Sequence, residues 1–210
     1  MSNIIGKILV LLGTVLIITA LGLLTYNGNE NREAEKASYS VLTDIKICVE
    51  ESKELETKKE QSSSLTGAEN IFIPVIETEK EEYININGYD YIGYISIPKI
   101  NTELPIMADW DYDRLKIAPC RHFGTLSDDN IVIAGHNYIS HFGKLTDLNI
   151  GDEVIFTDAL GEKYLYKVGE ISSVVSTSVE TVKDSEWELV LYTCNYSGNA
   201  RIAVFCEKIK

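Results

Sequence analysis

From Ile8 to Tyr26 the chain runs through ILVLLGTVLIITALGLLTY without a charged residue, and a bilayer core takes roughly 20 apolar residues. A cleaved export signal carries a shorter apolar run, about 7–15 residues, ending at a small-residue site. The run therefore reads as an uncleaved transmembrane helix, and residues 1–27 as an N-terminal anchor. Lys7 precedes it and Asn27-Gly28-Asn29-Glu30 follows. By the positive-inside rule, a single pass then leaves the N-terminus in the cytoplasm and the rest of the chain outside the cell membrane.

Residues 28–82 are rich in Glu, Lys and Ser, most of all between Glu50 and Ser64. Val41, Leu42, Ile45, Ile47 and Val49 form a weak apolar stripe, which predicts a partly helical segment that the Ser run and Gly67 bring to an end. The region reads as a polar stalk lifting the remainder off the membrane. The alternative is a membrane-proximal helix that packs on the following domain.

Beyond about Tyr83 the texture changes to short apolar or alternating runs. Strands are expected at 91–97, 104–107, 130–134, 153–157, 163–171, 187–193 and 201–208. Pro98, Gly124, Asp128-Asp129, Gly151-Asp152, Gly161 and Ser197-Gly198-Asn199 break them. Many short strands at close spacing predict an all-β barrel or sandwich over residues 83–210, not a βαβ fold.

Charge narrows the function. A formal net charge of -13 without a Lys/Arg cluster argues against nucleic-acid binding, which works by counterion release at basic surfaces. The four cysteines, at 48, 120, 194 and 206, make no C-x-x-C pair and no regular framework. Neither a zinc site nor a disulfide scaffold is indicated, which raises the question of a working thiol.

Cysteine acyl chemistry needs a thiolate, a nearby acid or base and a positive group for the oxyanion. Val190-Leu-Tyr-Thr-Cys194 is an apolar strand ending in a cysteine, before the turn Asn195-Tyr-Ser-Gly-Asn199. Arg201 opens the next strand, so a hairpin returns a permanent cation toward the thiol. Ile131-Val-Ile-Ala-Gly-His136 is a second apolar strand ending in a histidine, after a glycine that permits close backbone approach. Taken singly, such a Cys is more often a core residue, such a His a turn residue and such an Arg a solvated one. Their conjunction at strand ends of one small domain is what points to a site.

These segments resemble the sortase family of cysteine transpeptidases. Leu191-Tyr-Thr-Cys194 with Arg201 seven residues on is similar to the family's T-L-x-T-C and downstream Arg, and Ala134-Gly-His136 resembles its histidine segment. Ile92–Ile100 with Leu104-Pro-Ile106 resembles the opening strands, and His122-Phe-Gly-Thr125 the H-x-x-G-[ST] stretch. The N-terminal anchor and short loops look closest to class A or D, while Asn137 and Phe142-Gly-Lys-Leu145 are similar to class B. The resemblance implies an eight-stranded closed β-barrel with short helices. It implies that Cys194 attacks an LPXTG-like sorting signal of an exported protein in a Gram-positive bacterium, that His136 acts as acid and base, and that Arg201 holds the oxyanion. The acceptor would be a cell-wall precursor amine, or a pilin lysine in a pilus-building member. No metal, nucleotide or redox cofactor is implied. A non-catalytic β domain that only binds exported peptides is the reading from another class, and it has no need of Cys, His and Arg together.

Other groups read as incidental. His122 is expected at the rear of the site or at a turn, and His141 in a polar loop. Cys120 is expected in a semi-exposed loop, Cys206 in the core and Cys48 in the stalk. The run Asp109-Trp-Asp-Tyr-Asp113 carries carboxylates of the kind calcium favours, but it reads more simply as a solvated loop with an aromatic anchor.

Overall fold

A computed structural model describes residues 2–63, 82–175, 182–183, 185–195 and 199–209. One helix, α1 (Ser2–Ser63), precedes nine strands: β1 (Ile84–Ile86), β2 (Tyr89–Ile97), β3 (Thr102–Met107), β4 (Cys120–Phe123), β5 (Ile131–Gly135), β6 (Glu153–Asp158), β7 (Lys163–Val175), β8 (Leu189–Cys194) and β9 (Ala200–Lys208). The order β2-β3-β4-β5-β8-β9-β7-β6 closes on itself through β2–β6 pairing, giving the expected eight-stranded barrel, with β1 a hairpin arm on β2. Closure abolishes sheet edges. Gly93 lies on the closing seam with φ +135, and a Cβ there would meet the Thr157 carbonyl oxygen at 2.0 Å, so only glycine fits.

Alternate residues along the strands divide into two buried sets. Ile95, Leu104, Ile133, Phe156, Val168, Leu191 and Val204 fill the barrel. On the outer face, Met107, Cys120, Val132, Val190, Tyr192 and Phe205 form a second layer with Val41, Ile45 and Val49 of α1. Strand β5 is thus buried on both faces, as its unbroken apolar run Ile131-Val-Ile-Ala requires.

The segment expected to stand clear as a stalk is continuous with the apolar helix, and from Asn31 to Val49 it lies on the barrel. Ala34, Ser38, Val41, Leu42, Ile45 and Val49 recur at three- and four-residue spacing and are buried. Ile47, off that stripe, is half exposed. Polar contacts pin the docking. Ser38 Oγ donates to the Ile117 carbonyl at 2.5 Å, Ser140 Oγ bonds Asn31 Oδ1 at 3.1 Å, and Lys46 pairs with Glu103 at 2.7 Å. Gly67 and the rest of 64–81 fall outside the described residues, as does the middle of the 195–199 turn.

Two strands went unread in the sequence. β1 has only three residues, and β4 carries Arg121 and His122 among apolar neighbours with no period to mark it. Cys120 is accordingly a fully buried strand residue and not a loop thiol. It pairs with Met107 of β3 and Ala134 of β5.

Replacing Ile45 with alanine should cost about 2–4 kcal/mol of unfolding free energy in urea titrations of the detergent-solubilised chain, the range for truncating a buried aliphatic side chain. A free stalk would show no change.

Candidate active site

Cys194 is the last residue of β8 and is half buried, paired directly across the antiparallel ladder with Arg201 of β9. Directly opposed residues hold their Cβ atoms about 4.5–5.5 Å apart on one face of the sheet. That face is the outer one, since Cys194 and Arg201 continue the alternation of Tyr192 and Ala203. Among the described residues Arg201 has no carboxylate partner and no hydrogen bond.

His136 reaches the same place by another route. β5 and β8 run parallel, with Ala134 opposite Tyr192 and Gly135 opposite Thr193. One step further, His136 and Cys194 leave the same end of neighbouring strands, which lie about 4.8 Å apart in any sheet. Phe142 fixes this exit. Its N–H donates to the His136 carbonyl at 3.0 Å, and its ring fills the space a Cβ at Gly135 would need, 2.5 Å away. The imidazole is half buried and not hydrogen-bonded to the thiol. Burial first, and then the Lys116 ammonium, hold its pKa below the ordinary histidine value, with Glu30 of α1 opposing. The imidazole is therefore neutral at pH 7, able to accept a proton.

His122 proves to be a neighbour of the site and not a turn residue. It lies on β4 and its Nδ1 shares a hydrogen bond with Tyr192 Oη at 2.5 Å. Trp110 stacks on it at 4.7 Å, beside an open groove of about 520 Å³. Tyr192 lies two positions before Cys194 on the same face. Burial raises the pKa of its phenol, Arg201 lowers it and Cys194 raises it, which sets the phenol near both groups. Sequence reasoning missed this link because the pair is 70 residues apart. The one local signal was an aromatic within a nucleophile-bearing strand.

His141, expected in a polar loop, is fully buried. Ser38 Oγ sits 3.0 Å from its Nε2, and because that hydroxyl already donates to Ile117, Nε2 carries the proton and Nδ1 is left without a partner. Two of the other cysteines are sealed by their environment. Burial pushes the Cys120 and Cys206 thiols up to about 12, leaving them protonated and inert. Cys48 lies on α1, half buried, in the segment that docks. In the acidic run, Asp109 and Asp111 pair with Arg114 at 3.0 and 2.9 Å, and Asp113 pairs with Lys116 at 2.7 Å.

Residues 95–209 match the Sortase domain family. The chain belongs to the sortase family. It is 33% identical over 116 residues to sortase D of Bacillus subtilis (strain 168), covering 51% of this chain and 58% of that protein. To sortase A of Bacillus anthracis it is 31% identical over 109 residues, covering 49% and 51%. The chain thus spans little more than half the length of these curated relatives. Its fold is also similar to the crystal structure of Streptococcus pneumoniae sortase C, with TM-score 0.56 and 21% identity over 81% of this chain and 97% of that one. The long apolar helix ahead of this sortase domain is consistent with a membrane anchor.

Burial holds the His141 pKa down to about 4, with His136 adding to the effect and the Ala34 carbonyl opposing it. An unfolded histidine protonates near its ordinary value, so between about pH 6.5 and pH 4 the unfolded state binds more protons and stability falls as pH falls. Urea unfolding should lose about 3 kcal/mol across that window from this group. His141→Gln, unable to titrate, should lack that component.

Proposed function

We propose that this sortase is a membrane-anchored cysteine transpeptidase that cleaves an LPXTG-like sorting signal of an exported protein and transfers the acyl group to a cell-wall precursor amine. One arrangement carries the reading: Cys194 opposite Arg201, which has no carboxylate partner among the described residues, with His136 leaving the neighbouring parallel strand at the same end. A module that only binds peptides has no use for a half-buried thiol opposite an arginine, with a histidine at the same strand end.

In the proposed reaction the Cys194 proton passes to His136, and sulfur attacks the peptide carbonyl carbon. As the C–S bond forms, the carbonyl electron pair moves to oxygen, where Arg201 donates to it. His136 returns its proton to the leaving nitrogen as the C–N bond breaks, freeing the C-terminal fragment and leaving a thioacyl enzyme. An incoming amine loses a proton to His136 and attacks the thioester. Breaking the C–S bond releases the thiolate, which takes that proton from His136 to restore the thiol. Protons and electron pairs balance without a further reactant.

The anchor over 1–27, with its N-terminus in the cytoplasm and the catalytic domain of 83–210 outside, belongs to the same proposal. Asn31, bonded to Ser140, lies five residues past the end of the apolar run. At 1.5 Å per residue this is about 7–8 Å along a helix axis, which supports a site working close to the bilayer surface, where membrane-held substrates emerge.

The test incubates the detergent-solubilised full chain with sorting peptides and either a glycine-based or a lysine-based amine, reading products and the acyl-enzyme by mass spectrometry. Cys194→Ala should abolish both transfer and adduct. Arg201→Lys should lower kcat/KM by about 10²–10³, the cost of one misplaced oxyanion donor. Turnover by Cys194→Ala, with loss in Cys120→Ala, would sink the assignment. Which amine is joined separates a wall-anchoring role from a pilin-joining one.

A further inference from the structure

A working imidazole is usually oriented by a carboxylate or carbonyl on its second nitrogen. The His136 ring has no such partner: among the described residues it makes no hydrogen bond. What lies against it is Tyr138, two residues further on. The two rings are stacked, with centroids 4.7 Å apart and planes inclined at 27°.

Tyr138 is itself held firmly. Its carbonyl accepts from the N–H groups of His141 and Gly143, both at 2.9 Å. That turn is so tight that a Cβ at Gly143 would come within 2.7 Å of the Tyr138 carbonyl oxygen. The Tyr138 ring also meets His141, with centroids 5.5 Å apart. His141 is completely buried and fixed by Ser38 of α1. The contacts run from Ser38 of α1 to His141, from His141 to Tyr138 and from Tyr138 to His136.

An aromatic face is negative at its centre and attracts a cation lying over it. His136 becomes such a cation each time Cys194 gives up its proton, in surroundings that otherwise disfavour charge. The groups facing it from other elements pull both ways. Lys116, in the segment between β3 and β4, opposes protonation and Glu30 of α1 favours it, while His141 opposes only when charged. We propose that Tyr138 is a positioning residue of the reaction, its stacked face holding the His136 ring in place and stabilising the imidazolium. The inference rests on the reading of His136 as acid and base.

Three variants of the full chain test it: Tyr138→Phe, which keeps the aromatic face, Tyr138→Leu, which keeps apolar bulk without it, and His136→Ala. Tyr138→Phe should stay within about twofold of wild type, and Tyr138→Leu should lose about three- to tenfold in kcat with little change in KM, the scale of one aromatic contact. Tyr138→Leu should also move the His136 titration, followed by NMR of its ring protons, to lower pH by about half a unit, because the charged form has lost its partner. Tyr138→Met yields the same two readings if the leucine variant does not fold. Wild-type kcat and an unshifted His136 titration in the leucine or methionine variant would overturn the proposal, as would equal damage in Tyr138→Phe. Wild-type turnover by His136→Ala would instead overturn the reading beneath it.

Discussion

The parallel pairing of β5 with β8 is the contact on which the rest of the site depends. Parallel neighbours end on the same side of a sheet, so His136 and Cys194, each the residue at or just past a strand terminus, emerge together. An antiparallel arrangement of the same two strands would put them at opposite ends of the barrel. The pairing joins residues about 60 positions apart, and both strands are buried on both faces, which fixes the register: a slip by one residue would turn Cys194 into the barrel interior. The β8–β9 hairpin then brings Arg201 opposite the thiol at the cost of only a short loop.

Around this register, burial sorts groups that look alike in sequence. Four cysteines are present, but Cys120 and Cys206 are sealed in apolar layers that hold the thiols protonated, while Cys194 sits half open at a strand end. Three histidines divide in the same way. His141 is buried and neutral, His122 is a partner to the Tyr192 phenol, and His136 is a half-open ring stacked on Tyr138.

The docked part of α1 links the apolar run at the N-terminus with the candidate site. Asn31 and Ser38 grip the loop that follows β5, and Val41, Ile45 and Val49 bury the barrel's outer layer. Glu30 and Lys116 bias His136 in opposite directions. The helix therefore shapes the electrostatics of the site as well as tethering the sortase domain.

Much of the fold was legible in the sequence. Apolar alternation marked seven of the eight barrel strands, the uncharged run marked the long helix, and the strand-end placement of Cys194, Arg201 and His136 marked the candidate site, because these signals are carried by residues close in the chain. β4 escaped, since four residues with Arg121 and His122 among them have no period, and the stripe on α1 was too weak to separate a docked helix from a stalk. Which hydroxyl a histidine meets and which thiol is sealed were decided by tertiary structure alone. Those properties depend on partners 70 to more than 100 residues away, and desolvation is set by everything packed around a group and not by its neighbours along the chain.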